Sequence, residues 1–560
     1  MLKRKTGIAF RFALILAFVL LAAGCSSSKN DNVDSQGSGG SAPAGGSSQA
    51  AGTPAAGTPA KLTKLRVMIY DRGNAPEGMK LTEAPLMQWA KEQVKPLGID
   101  LEYVAVPRAE AEDKLNVWLA SGEAPDIIFT YDTNTLFKYA EQGGIWQLDD
   151  FLSQYGPQIQ KNNQKALDEA GTYEGKRFAI PALRANPHVG PAMKIRQDWL
   201  DKLGMKAPTT TDELYDVLKA FKEKDPGGVG KDKVVPYAFP AIGKAFLYSL
   251  SGAFGLNPQL MGNGTDMFGG LWQDGKFTSN IATPNALEMF KFLNKLYKEG
   301  LIPKEFGTDV NKQQFNQYVA QGVAGFLEDN DNGWVLTDST RQAVPDARWM
   351  PIDPLKTADG NQYAGGAPDF GMLIMIPKAS KEEQATAAVK YLNWMADPAN
   401  ILTLQSGIEG VHYKVNADGT RQVIDPEKNK KEIDWYTASG DLEIIQQGQP
   451  LDSPEKLKVA AENAKLFDAD YYVAVTTKYD SIFAQYTPDP PTVVLTDPRP
   501  FAQKNQETIK KFINESITKI IVTDDPEKEY NAMIEGWKKL GGEKYDQELT
   551  DAYNKIGYQP

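Results

Sequence analysis

Asp329-Asn330-Asp331-Asn332-Gly333-Trp334 puts two carboxylates and two amides beside an indole within six residues. That mixture suits a ligand with an apolar ring face and a polar rim: the indole covers C–H groups while carboxylates and amides meet hydroxyls. Trp272, in GGLWQDGKF, and Phe370, beside Asp369 in APDFG, are further aromatic plates with polar neighbours. Tyr70-Asp71 and Tyr131-Asp132 each pair a phenol with a carboxylate, and Arg184 in IPALR adds a guanidinium. Every one of these groups also has a plainer use. Most Trp and Phe residues of a long chain fill cores, Asp132, Asp329 and Asp369 suit helix caps or loops, and Arg184 suits a salt bridge. His188 and His412 read as structural hydrogen-bonding groups, and Trp394 in VKYLNWMAD as facing a helix core.

The elements that position these residues follow from periodicity. LRVMIY (65–70), IDLEYVAV (99–106) and PDIIFTYD (125–132) read as strands, with helices near 83–95 and over 110–122 between them. Such alternation implies a parallel sheet, whose ligands bind beyond the carboxyl ends of the strands. Tyr70-Asp71 and Tyr131-Asp132 stand just past the first and third strands and so are placed to face a cleft. Farther on, Thr210–Glu213 and Ser380–Glu383 fit capping boxes, and Thr283-Pro284 and Ser453-Pro454 fit a cap followed by proline. No internal repeat is visible.

Cys25 is the single cysteine of 560 residues, which excludes an internal disulfide and a cysteine-rich metal site. A basic, acid-free start and the apolar run FALILAFVLL precede it, and the run is too short to span a bilayer. LAAGC (21–25) resembles a bacterial lipobox, which implies a signal peptide over 1–24 and a lipid, palmitate included, on Cys25; the other reading is an ordinary signal peptide with an incidental cysteine. Residues 25–60 are almost wholly Ser, Gly, Ala and Pro, a disordered tether whose ends lie about 30 Å apart by random-coil scaling. On the lipobox reading, the body over 61–560 is expected to be held outside the cytoplasmic membrane by its lipid alone.

The formal net charge of −11 becomes −15 without Lys3, Arg4, Lys5 and Arg11 of the leader, which argues against a nucleic-acid partner. Two histidines are too few for a histidine-based metal centre. There is no P-loop, HExxH or GxSxG motif, so an enzyme is not expected. A surface-tethered glycoside hydrolase is the rival, since 72 acids leave room for a carboxylate pair. A peptide-binding lipoprotein is a third class, but it needs a strand edge for backbone pairing.

SGEAPDIIFTYD (121–132), YAEQGGIWQLDDFL (139–152), IPALR (180–184), IRQDWLDKLGMKAPTTTDELYDVLKAFKEKDP (195–226), GVAGF (322–326), GIEGVHY (407–413) and NAMIEGWKKLGGEKYDQELTDAYNK (531–555) carry a more specific resemblance through their order along the chain. With the lipobox they make the sequence similar to extracellular solute-binding lipoproteins of family 1, the sugar-binding class, in a subgroup resembling oligosaccharide-binding components of bacterial ABC importers. The resemblance implies an α/β, two-lobed, periplasmic-binding-protein-like fold with a multi-strand hinge and an interlobe ligand cleft. Lobe one is expected over about 61–181 and 371–430, lobe two over about 182–370 and 431–560, with crossings near Ile180–Arg184 and Tyr363–Gly371. It further implies an oligosaccharide ligand, ABC transporter permease partners, a monomer and no cofactor. Asp329 and Asp369 would accept hydroxyl hydrogens, Trp334 would stack, and Arg184 would steady the hinge. Relatives in this subgroup often carry a calcium loop where DPGGVGKDKVVPY (225–237) stands. Only Asp225 and Gly230 meet its ligand pattern, so no ion is expected.

Overall fold

Between Thr63 and Thr130 the computed structural model shows strands Thr63–Asp71, Ile99–Pro107 and Ile128–Thr130 with helices Pro85–Val94 and Ala111–Ser121 between them. The structure describes residues 61–184, 192–243, 245, 247–257, 269–329, 335–365, 370–417, 419–437, 441–447, 453–463, 466, 468–486 and 499–555. The first helix starts on Pro85 and buries Leu86, Met87, Ala90 and Val94, a stripe at helical spacing. The second ends at Gly122, whose φ of 71° is the left-handed cap that halts a helix at little steric cost.

The first two strands pair in parallel from Thr63 opposite Ile99 to Asp71 opposite Pro107. Val67 bridges Ile127 in the same sense, with Met68 N–H donating to Ile127 O at 2.9 Å, and so joins this pair to a second ladder. That ladder runs Ile128–Thr130, Phe370–Met375, Ile180–Arg184, Gln446–Gln447 across the sheet. Val67, Met68, Ile69 and Tyr70 are buried in succession, as in a sheet covered on both faces. The other lobe is built on strands Trp349–Pro351, Ala192–Arg196, Ala324–Asp329 and Val235–Tyr237, in that spatial order. Helices Thr211–Lys224, Pro284–Lys298, Pro500–Val522 and Pro526–Lys539 pack around it.

The two apolar cores trace the path of the chain. One takes residues between Leu65 and Ala182 and again between Phe370 and Ile445; the other takes residues between Met193 and Leu355 and between Ile509 and Trp537. The chain therefore leaves the first sheet after Arg184, returns to it at Phe370 and leaves again after Gln447. One expected boundary moves. Ile433, Tyr436, Leu442, Ile444 and Ile445, placed beyond 430 in the second lobe by sequence, lie in the first core. Tyr436 Oη accepts from Leu86 N at 3.2 Å, and Leu183 N donates to Ile445 O at 3.0 Å. These long-range bonds leave no mark in local periodicity.

Helix starts differ in detail from their signals. Thr210 accepts from Glu213 N at 3.2 Å, as a cap should, while Glu213 reaches back to Thr209 N at 2.7 Å. Ser380 caps nothing; its hydroxyl donates to Asp126 at 2.7 Å. Thr283 turns its hydroxyl to Asn280 O instead of capping, and Pro284 still opens the helix. Trp394 is half-buried against Tyr391 and Trp89. Among the described residues, no helix is long and apolar enough to cross a membrane.

Candidate functional site

Three parallel strand ends converge, and each delivers polar chemistry in the residues that follow it. The first ends in Tyr70-Asp71 and continues to Arg72, the second continues to Arg108, and the third to Tyr131-Asp132. Arg108 binds this group together: its guanidinium carbon lies 4.4 Å from the Tyr70 ring centroid and 5.4 Å from that of Tyr131. Cation–π stacking of this kind holds a half-buried arginine by its face and leaves its edge N–H groups for another acceptor. Arg108 makes no ion pair among the described residues. Tyr70 is fixed from behind by Phe129, edge-on at 4.8 Å, and its hydroxyl is buried without a partner among the described residues. Burial pushes the Tyr70 phenol up, so it stays protonated and able to donate.

Charged neighbours surround this core. Arg72 forks onto Asp441 with contacts of 2.5 and 3.0 Å, a bidentate pair that ties the first strand end to the returning chain. Glu112 accepts from the Thr130 hydroxyl at 2.9 and 3.0 Å, and burial raises its carboxyl pKa. Glu443 is buried with Oε2 unpartnered among the described residues. Burial, assisted by the nearby charge of Asp441, pushes its carboxyl up to about 8.

Asp132 caps helix Thr133–Glu141, accepting from Asn134 N at 2.9 Å and from the Thr135 hydroxyl at 3.1 Å; burial raises its pKa. The next residues reach the other lobe: Asn134 Nδ2 donates to Gln506 Oε1 at 3.0 Å on helix Pro500–Val522. Asp71 closes a turn by accepting from Gly73 N at 2.9 Å. The two Tyr-Asp pairs thus stand together, with the phenols beside Arg108 and the carboxylates occupied by local backbone.

The remaining expected residues fall elsewhere. Arg184 ends its strand half-buried, opposite Gln447. Phe370 is buried inside the first sheet, opposite Leu183, and is a core residue instead of a stacking plate. Asp329 ends the second-lobe strand Ala324–Asp329, buried and ion-paired with Lys312. Its charge is met by the chain itself, so it is not the open acceptor expected of it. Trp272 sits on hairpin Gly270–Gln273/Lys276–Ser279 against Tyr553, 5.3 Å away. Cys25, His188, Trp334 and Asp369 lie outside the described residues. His412 accepts from Ile408 N at 3.0 Å and meets Glu432 at 3.2 Å.

Arg72, Arg108, Glu112, Asp441 and Glu443 were not singled out by sequence. The first two follow strand ends directly, so the rule that found Tyr70 and Tyr131 would have found them. No local signal marks Asp441 or Glu443, which arrive from a return segment without strand periodicity. At the calcium-loop position, both carboxylate oxygens of Asp225 are engaged by Val229 N and Gly230 N at 3.0 and 2.8 Å.

Comparison with known proteins bears on the whole body. The chain is 27% identical over 478 residues to the polygalacturonan/rhamnogalacturonan-binding protein YtcQ of Bacillus subtilis, covering 83% of this chain and 88% of that one. It is 26% identical over 464 residues to the lipoprotein LipO of the same organism, covering 81% and 86%. An HMO-binding, ABC-transporter-associated solute-binding protein from Bifidobacterium longum infantis superposes with a TM-score of 0.68 at 18% identity, over 89% of this chain and 100% of that one. That likeness establishes the shared two-lobed fold. Residues 80–401, more than half of the chain, match the profile of one family, and the chain belongs to it: the bacterial extracellular solute-binding proteins.

Proposed function

We propose that this protein captures an oligosaccharide between its two lobes outside the cell membrane and delivers it to the permease of an ABC importer, without turning it over. The observation that carries the reading is Arg108, stacked on Tyr70 and Tyr131 where three strands end, with its edge open to an acceptor. The guanidinium edge offers donors to hydroxyl or carboxylate oxygens, and the half-buried Tyr131 ring offers apolar surface to sugar C–H groups. The bond from Asn134, two residues past Asp132, to Gln506 joins this end of the first lobe to a helix of the second and supports capture between the lobes. Kinship with YtcQ supports a glycan ligand, and kinship with LipO supports the lipid on Cys25 and an extracytoplasmic place.

Calorimetry against a panel of neutral and acidic oligosaccharides tests the reading. A bound ligand at 100 times its dissociation constant should stabilise the fold by about 2.7 kcal/mol, and scattering should show a more compact molecule. Hydrolysis of the bound glycan at about 1 per second or faster would replace the receptor reading by an enzyme. Cys25→Ser should release the protein from the membrane; retention there would refute the anchor.

A further inference from the structure

A groove of about 970 Å³ opens on the second lobe, and no residue of the strand-end cluster lines it. Its lining comes from residues between Thr210 and Tyr363 and from Tyr553, with none from the first core. Its size is at the upper end of small-molecule sites. We propose that it is a second saccharide site, which holds a segment of neutral glycan chain outside the interlobe cleft. The inference goes beyond the transport reading and does not depend on it.

The floor of the groove is a supported aromatic plate. Trp272 is half-buried, with Tyr553 behind it, and Tyr553 in turn stacks on Phe277 at 5.8 Å and 15°. The hairpin is pinned to helix Gly542–Lys555 by Ser279 N on Asp546 at 3.0 Å and by Phe277 N on Thr550 at 3.1 Å. Gly270 is obligatory there, because a Cβ would stand 2.1 Å from the Phe277 ring. Phe254, packed on Phe292, and half-buried Tyr363 supply further rings along the groove. Asn285 offers an exposed amide that makes no hydrogen bond among the described residues. Rigid rings with an amide and hydroxyls between them match the alternating C–H faces and hydroxyl rims of a pyranose chain. Glu288 is paired with Lys291 at 3.1 Å, and Asp212 and Asp359 stand against Lys356, so the lining keeps an acidic balance of one charge and favours a neutral glycan over a uronate one. Its walls belong to one lobe, so occupancy needs no closure of the lobes.

Affinity electrophoresis of the protein through gels containing starch, xyloglucan, mixed-linkage β-glucan, galactomannan or polygalacturonate tests the proposal. Retardation is expected in at least one neutral gel and not in polygalacturonate. The dissociation constant from it should rise about 10-fold in Trp272→Ala, the order of one lost aromatic contact. Asn285→Ala, an exposed change, should weaken retardation without altering the circular dichroism spectrum, and Arg108→Ala should leave it unchanged. Free migration in every neutral gel would overturn the proposal. So would retardation abolished by Arg108→Ala, or retardation lost in Trp272→Ala alone with Asn285→Ala and Tyr363→Ala both unaffected, since unfolding would then account for the loss. Failure of the transport reading would leave the retardation intact.

Discussion

The two lobes each end a buried strand in a carboxylate, and they use it differently. In the first sheet Ile128–Thr130 runs into Tyr131-Asp132, beside a guanidinium held by ring faces and open at its edge. In the second, Ala324–Asp329 ends in an acid that Lys312 meets with a full ion pair, the lysine itself lying over Phe315 at 4.5 Å. Lys312 is presented from a left-handed residue, φ 57°, just before helix Gln313–Ala320. Both acids are therefore closed, Asp132 by the start of its own helix and Asp329 by Lys312, and the difference lies in the cation: Arg108 stays stacked on the phenols with its edge open, whereas Lys312 is spent on the acid.

The contrast is broken most sharply at Lys312. Lys312→Ala removes the ion-pair partner of a buried acid, which should destabilise the fold by about 3 kcal/mol in urea unfolding and leave ligand affinity of the folded protein unchanged. A stable variant with weakened binding would move Asp329 into the site. Arg108→Ala should do the reverse. Loss of a charged donor is expected to weaken oligosaccharide binding by about 1.5–3 kcal/mol in calorimetry, with a small effect on stability because the side chain is stacked and half-buried. Equal losses of stability and affinity would mark Arg108 as scaffold.

Glu443 sharpens the comparison in another direction, since it is a buried acid that takes up a proton where Asp329 takes a lysine. Its folded pKa of about 8 stands above the unfolded value of about 4.3. Between those values the folded state holds the proton that the unfolded chain has lost, so stability falls as pH rises. The contribution is complete below about pH 4.3 and is lost through pH 8, at up to about 1.4 kcal/mol per pH unit. Glu443→Gln should flatten that slope in urea titrations across the window. An identical slope in both proteins would show that Glu443 does not carry it.

Much of this was legible from the chain. The alternation over 65–130 has its expected elements because each is driven by local burial: Val67–Tyr70 in a strand, Leu86–Val94 in a helix. The strand-end rule found Tyr70 and Tyr131 for the same reason. It stopped short of Arg72 and Arg108, one residue past each strand, because neither belongs to an aromatic–acid pair. Phe370 misled because a polar flank made it look exposed, whereas its strand lies between Ile180–Arg184 and Ile128–Thr130 inside the sheet. Asp441 and Glu443 were illegible in principle. Asp441 is paired with Arg72, 369 residues away in sequence, and Glu443 is buried next to the charge of Asp441, so no local pattern encodes either environment.

The smallest effect is expected at the loop that resembles a calcium site in position only. Asp225 adopts φ 45° at the end of helix Thr211–Lys224, and its two oxygens accept the Val229 and Gly230 amides. An ion would have to take those oxygens from the backbone, with Gly227 and Val229 offering no side-chain oxygen at the third and fifth positions. The loop is thus closed by hydrogen bonds that a calcium loop would replace with coordination. Chelator or added calcium should leave the melting temperature unchanged, and Asp225→Asn should cost about 1 kcal/mol at most, since an amide oxygen still accepts one of the two bonds. A fall in melting temperature on chelation, abolished by Asp225→Asn, would show that the loop binds an ion despite its chemistry.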